Sequence, residues 1–407
     1  MQQSDVIILG GGLIGATLAI ALDVHGLGVA VVDTADLSAT LAPSHDGRAS
    51  AVSSASQHML DAIGVARGLD GRGCPIHTIR VSEGLDRGAL GFDATEVDGR
   101  PLGVMYENRV LRQALLSTLG AAAGIRLCAP DRAADIVRDA HGVTVTLASG
   151  DVLKAPLLVV AEGRRSPTRE AAGIRIAQWS YAQTAIVVTI THEVAHDGTA
   201  FEIFYPTGPF ALLPMLDDEA GRHRSAIVWT VPAAQGAATA ALPERPLLAE
   251  IDKRIGGFLG KVALASPVWS YPLGFHQSER LIDQRLALIG DSGHGIHPIA
   301  GQGLNMGFRD VAALTECLVE AVRLGLDLGD PQVLERYQRW RALDNMMVAA
   351  STDLLNRLFG APGRGMSALR ALGLRAVDRL PPLKRRFMAE ARGESGELPQ
   401  LLTGTLV

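Results

Sequence analysis

Three glycines carry the first chemistry in this chain. Gly10, Gly12 and Gly15 form a GxGxxG run that follows a short β-branched stretch, Val6 to Leu9, and opens an apolar one, Ile14 to Leu22. In that context Gly10 permits a tight turn, Gly12 lets a pyrophosphate approach the backbone, and Gly15 lets the following helix pack closely. Leu13 and Ile14 stand at the helix entrance, where amide donors and the helix dipole favour phosphate. Asp33 ends a second β-branched run, Val29 to Val32, about twenty residues on, where a carboxylate accepts hydrogen bonds from a ribose diol. These residues predict a dinucleotide site, and the motif serves NAD and FAD alike.

A second glycine-rich turn, GDSGHGIHPIAGQGLNMGFRD, follows the run LALI. It puts Gly290 and Asp291 at a strand's end and Gly301 to Asn305 at the entrance of a helix. Between the two glycine turns lies LLVVAEGRRSPTR, a charged loop after a buried strand, whose Arg164, Arg165 and Arg169 would also suit a solvated turn. In this order the three segments resemble the aromatic-hydroxylase flavoproteins, the class A flavoprotein monooxygenases. The resemblance implies FAD, with Gly290 and Asp291 on the flavin ribitol. It sets Gly301, Gln302, Gly303, Leu304 and Asn305 against the pyrophosphate and the pyrimidine side of the isoalloxazine. It also implies contacts with FAD and the pyridine nucleotide at Glu162 and Gly163. Here the chain departs from the family by carrying Glu162 where Asp is usual, which moves the carboxylate about one methylene outward.

The implied reaction draws electrons from NAD(P)H or another reductant and takes dioxygen as co-substrate. A flavin C4a-hydroperoxide would pass its distal oxygen to an electron-rich ring, while the protein supplies position and keeps water out. His297, Pro298 and Gly301 are the expected flavin-side loop, with Pro298 stiffening the wall above the flavin. His294 and His297 are candidate proton carriers, although a histidine in such a turn more often bonds backbone.

Four further stretches, DGRASAVSSAS, YENRVLRQALL, FYPTGPFALLPM and HPIAGQGLNMGFRD, are similar to the ubiquinone-biosynthesis branch, the UbiH/UbiF-type hydroxylases. The similarity runs over nearly the whole chain and implies a polyprenylated phenol or quinol as substrate. It places Arg48 and Arg109 beside the FAD, where a guanidinium suits a pyrophosphate. Two alternatives stay open: a hydroxylase of a small soluble aromatic compound, and a flavin-binding, non-hydroxylating component of a biosynthetic complex.

The elements that must hold these residues read as an α/β chain. A Rossmann-like FAD-binding domain of the p-hydroxybenzoate hydroxylase type is expected, with an inserted antiparallel-sheet substrate domain and a helical C-terminal region. Strand-like runs between Thr184 and Trp229, with Phe201, Phe204, Tyr205, Phe210, Leu212 and Leu213, would roof the substrate chamber. Arg109 should head a helix whose Val110, Leu111, Ala114 and Leu115 face the core. The expected partition gives 1–72, 101–178 and 273–340 to the FAD-binding domain, 73–100 and 179–272 to the substrate domain, and 341–407 to the helical region and a loose RGESGELPQ tail.

Bulk properties narrow the function further. A length of 407 residues with 47% hydrophobic content supports a sizeable core, and a net charge of -5 gives no field for nucleic acid. Cys74, Cys128 and Cys317 are scattered, so neither disulfides nor a metal site is expected. The opening residues carry no basic leader, and no apolar run is long enough to span a bilayer. A cytoplasmic protein is expected. From Arg357 to Arg392, nine Lys or Arg face only Asp378 and Glu390, with Leu and Ala between them. That pattern suits peripheral contact with the inner membrane or with a biosynthetic complex, and equally a solvated or subunit-docking helix. The sequence leaves oligomeric state open.

Overall fold

The computed structural model describes residues 2–42, 46–85, 90–295, 302–342, 344–345, 377–378 and 380–407. His297, Pro298 and Gly301 therefore lie outside the described residues, as do Arg357, Arg364, Arg370, Arg375 and Arg379.

Strands Val6–Leu9, Val29–Val32, Leu157–Val160 and Leu286–Leu288 are built of Val, Ile, Leu and Ala and are buried at every position. Continuous burial of this kind is what a parallel sheet covered on both faces requires. They pair in parallel within a six-stranded sheet, with Ile125–Cys128 at one edge and the antiparallel Ile282–Asp283 at the other. From Val6–Leu9 the chain first builds toward Val29–Val32, and later returns to add Leu157–Val160 on the other side. The loop after Leu9 consequently opens into the crevice at the switch in strand order, where α/β sheets bind ligands. Helices Leu13–Asp23 and Gln302–Arg323 lie against each other, and their apolar faces complete the largest core cluster.

A second, nine-stranded sheet carries the long strands Ile176–His192, Gly208–Met215, His223–Pro232 and Trp269–Ser278. Side chains alternate between its faces. Ile186, Val188, Phe210, Leu212, Ile227 and Trp229 form a closed core with Leu247, Ile251 and Ile255 of helix Glu244–Ile255. The intervening residues turn the other way. The expectation of an antiparallel sheet needs one correction, because Thr199–Tyr205 pairs in parallel with Thr78–Glu83. Strands so distant in the chain can meet in parallel because a long crossover separates them.

The expectation of a loose tail fails. Arg392 is buried in ion pairs with Asp98 and Glu394, and Arg309 donates to the carbonyls of Gly393 and Ser395. Gln400 donates its amide to Glu316, Leu401 and Leu402 join the main core, and the Val407 amide reaches His25 Nε2. The Gly, Glu and Ser of this segment serve turns and charge pairs in a packed chain.

Candidate functional site

At the glycine loop the backbone is packed as closely as glycine allows. A Cβ on Gly10, whose φ is +105°, would lie 2.3 Å from the Ala161 carbonyl oxygen, and one on Gly15 would lie 1.9 Å from that of Gly10. A Cβ on Gly12 would meet nothing within 4 Å, because this residue faces open space at the N-cap of helix Leu13–Asp23. Two glycines thus close the turn and the third leaves it approachable. Asp33 accepts the Gly11 and Ala35 amides, one on each carboxylate oxygen, at 2.6 and 2.8 Å. Further lone pairs remain on those oxygens.

Gly11, Gly12, Leu13, Ile14 and Asp33 line a cavity of about 1370 Å³, above the usual span of about 300 to 1,000 Å³ for ligand pockets. It continues past Arg48, Gly163, Asp291, Gln302, Gly303, Leu304 and Asn305 to the inward face of the nine-stranded sheet. Asp291 is exposed and its carboxylate has no hydrogen bond among the described residues. Arg48 pairs with Asp46 at 2.9 Å and lies over the Tyr271 ring. The open surface at Gly12, the Asp33 and Asp291 carboxylates and nearby guanidinium groups suit the phosphates and hydroxyls of FAD.

Several expected site residues do other work. Arg109 does not line the cavity; one helical turn on, Arg112 does, pairing with Asp46 at 2.5 Å and donating to the Thr40 carbonyl. Burial pushes the Asp46 carboxyl up, but Arg48 and Arg112 outweigh it and hold the group well below the usual carboxylate range. The motif flagged this helix, but only its rotation decides which arginine faces inward. Glu162 is also absent from the cavity wall. It accepts from the Ser166 hydroxyl at 2.6 Å and from the Thr168 amide and hydroxyl, so it fixes the start of the short helix Pro167–Ala171. Arg169, rather than sitting in a solvated turn, is 1% exposed and donates to the carbonyls of Arg164 and Ser292.

Gly290 contributes packing and its amide to an internal acid. A Cβ there would crowd Ile14 at 3.3 Å, and its N–H donates to Asp310 at 2.8 Å. Asp310 is fully buried and also binds His294 Nε2 at 2.6 Å and Arg341 Nε at 2.7 Å. His294 therefore bonds a carboxylate, not backbone, and is itself buried off the cavity. Asn305 holds the Gln302–Arg323 helix to the Ala49–Ser53 strand by accepting the Ser53 amide and donating to the Ala51 carbonyl. Arg112 and Asp310 stood inside quoted stretches without being singled out, and Arg341 lay outside them.

The sheet side of the cavity is apolar, with Ile79, Val81, Ala185, Val187, Leu213 and Val228 among its lining residues. Glu202 interrupts it. Among the described residues, no group of His, Cys, Asp or Glu is placed to hold a metal ion, and no helix is long and apolar enough to cross a membrane.

The sequence profile of the FAD binding domain family matches residues 3–351. A ubiquinone hydroxylase of Rhodospirillum rubrum, UbiL, is 46% identical over 99% of this chain and 93% of its own. The 3-demethoxyubiquinol 3-hydroxylase of Escherichia coli is 34% identical over 96% of this chain and 99% of its own. Among solved structures, p-nitrophenol 4-monooxygenase from Pseudomonas putida superposes with a TM-score of 0.79 at 17% identity, covering 98% of this chain and all of that one.

Proposed function

The chain belongs to the FAD binding domain family and is an FAD-dependent aromatic monooxygenase, and from that premise we propose that it hydroxylates the ring of a polyprenylated phenol or quinol in ubiquinone biosynthesis. The observation that carries the reading is the continuous cavity that runs from the dinucleotide loop to an apolar sheet face. One end is fitted to an anionic, hydroxyl-rich cofactor and the other to a greasy ring and tail. In this reading Gly12, Leu13, Ile14, Asp33, Arg48, Arg112, Asp291 and the 302–305 helix entrance hold FAD. When bound, FAD takes electrons from a reduced nicotinamide or another donor and activates dioxygen for insertion into the ring. The chain's own groups bind and orient, and the sheet excludes water. Segments 1–72, 101–178 and 273–340 carry the flavin, and 73–100 and 179–272 the substrate.

A small aromatic acid as substrate is disfavoured by the lining of the sheet face. The sheet face presents a carboxyl, Glu202, where an acid substrate calls for a cation. Glu162 has a structural task of its own, so its departure from the family pattern gives no ground for a non-hydroxylating role.

The tail has a route out. Phe387 and Val377 line the cavity, and Phe387 lies on helix Pro381–Ala391 with Leu383, Arg385 and Arg386, all exposed beside Leu380. That surface suits an anionic membrane and supports a peripheral position on the cytoplasmic side of the inner membrane. Lys384 and Arg392 do not belong to it. Lys384 pairs with Glu96 and Asp378, and Arg392 with Asp98.

The test is metabolite analysis of a deletion strain. An accumulated prenylated precursor lacking one ring hydroxyl is expected, and restored hydroxylation on complementation. Normal quinone in the deletion strain would overturn the proposal.

A further inference from the structure

We propose that Glu202 is the polar anchor of the substrate ring, its carboxyl binding a phenolic hydroxyl. The inference rests on the function proposed above and adds the group that selects for a phenol.

Side chains of strand Thr199–Tyr205 alternate between the two faces, with Phe201 also bordering the cavity. Phe201, Ile203 and Tyr205 pack into the closed core beneath the sheet. Ala200, Glu202 and Phe204 turn to the cavity. Across the sheet Glu202 sits between Ala211 on one side and Val81 on the other, both apolar and both cavity-lining. A period-two apolar face has no structural use for a carboxyl there, and no hydrogen bond or ion pair meets it among the described residues. Among the described residues, no charged group pairs with it. Strand Gly208–Met215 has no titratable residue. On Thr78–Glu83, Arg80 points to the opposite face, while Glu83 shares the face but has a partner of its own. Of the other ionisable lining residues, Arg164 and Tyr271 stand at the Trp269–Ser278 strand, Glu390 lies on helix Pro381–Ala391, and the rest belong to the dinucleotide end.

Burial alone pushes the Glu202 carboxyl up to about 8. Near neutral pH the group is therefore a neutral acid, and it ionises only at a cost. A phenol O–H offsets that cost by donating to the carboxylate, and a charge-assisted bond is stronger than a neutral one. Phenol binding thus favours the ionised form. A methyl ether has no O–H to give; it can only accept from the neutral acid, so it favours the protonated form. Linkage then demands opposite pH slopes: affinity for the phenol rises with pH through about 8, and affinity for the ether falls.

The experiment titrates the FAD-loaded protein with ortho-prenylphenol and with its methyl ether. It follows the flavin absorbance from about pH 6 to about pH 9, below the ordinary phenol value of about 10. The wild type should show the two opposed slopes. Glu202→Gln, which keeps the shape and a hydrogen-bonding head, should flatten both. Glu202→Leu should weaken phenol binding roughly tenfold, the effect of about one hydrogen bond, and lower the product formed per reduced nicotinamide consumed. If both probes bind and Glu202→Gln keeps the wild-type slopes, the anchor is overturned while the proposed function stands. If Glu202→Leu loses FAD, the isosteric Gln variant alone decides. If neither probe perturbs the flavin of the wild type or is hydroxylated, the substrate reading itself falls and the anchor with it.

Discussion

At the scale of single residues, the site divides between groups that hold a cofactor and groups that hold the chain. Asp291 belongs to the first kind, since its carboxylate makes no hydrogen bond or salt bridge among the described residues and the residue lines the cavity. Asp291→Ala should weaken FAD affinity by about 1 to 3 kcal/mol in an apoprotein titration, the scale of a lost charge-assisted hydrogen bond, with thermal stability of the apoprotein unchanged. Equal affinity would move Asp291 to the second kind. Glu202 makes a separate prediction about stability. Its folded pKa, about 8, lies above its unfolded value of 4.5, so the folded state holds the proton longer. Stability from this group is fully present below pH 4.5 and is lost as pH rises through about 8. Glu202→Gln should therefore melt higher than the wild type at alkaline pH and converge with it in acid. A constant difference across pH would mean that the carboxyl does not titrate in this window. The glycine spacing was legible because its backbone demands leave a local signature, whereas Asp291 was singled out through the family resemblance. Arg112 was not, because a motif marks a helix while its rotation chooses the side chain that faces inward.

At the scale of elements, the Gln302–Arg323 helix is pinned where its N-terminus faces the cavity. Asp310 joins it to the Gly290 turn, to His294 and to Arg341 from the following helical segment. Burial pushes the Asp310 carboxyl up, but His294 and Arg341 outweigh that and lower it. Stability from this group is accordingly present above the unfolded carboxylate value and lost as pH falls. Asp310→Asn removes one of the two acids that neutralise Arg341 in the interior and should cost about 3 to 5 kcal/mol in denaturant unfolding. It should also shrink the acid-dependent loss of stability. An unchanged midpoint would show that Asp344, which also pairs with Arg341, suffices to hold that charge alone. The βαβ start and the antiparallel strands could be read from periodicity and turn residues. The parallel pairing of Thr199–Tyr205 with Thr78–Glu83 could not, since register between distant segments has no local code.

At the scale of the whole molecule, the basic C-terminal region resolves into two populations. Lys384 and Arg392 are tied to acids of the 96–98 turn, whereas Arg385 and Arg386 are exposed. Replacing Arg385 and Arg386 by Gln should weaken binding to anionic vesicles by up to about 1 kcal/mol per charge, most clearly at low salt, with the flavin spectrum intact. Wild-type binding by that variant at every salt concentration would remove the membrane from the proposal. Lys384→Gln should instead lower thermal stability. A count of cations could not separate these roles, because their partners Glu96 and Asp98 lie far away in the sequence.

The docking of residues 400–407 onto the N-terminal half imposes an order on biosynthesis. Leu401 and Leu402 share one core with Val6–Leu9, and the central sheet also needs Leu286–Leu288. A ribosome that has made the glycine loop has not yet made the strand and the segment that complete the core beneath it. The nascent chain must carry an open apolar sheet until residues 286–288 and 400–407 have emerged, so the flavin cradle matures late in synthesis. Ribosome-bound chains halted before residue 286 should be protease-sensitive throughout their first strands, and chaperone demand should fall once residues 400–407 dock.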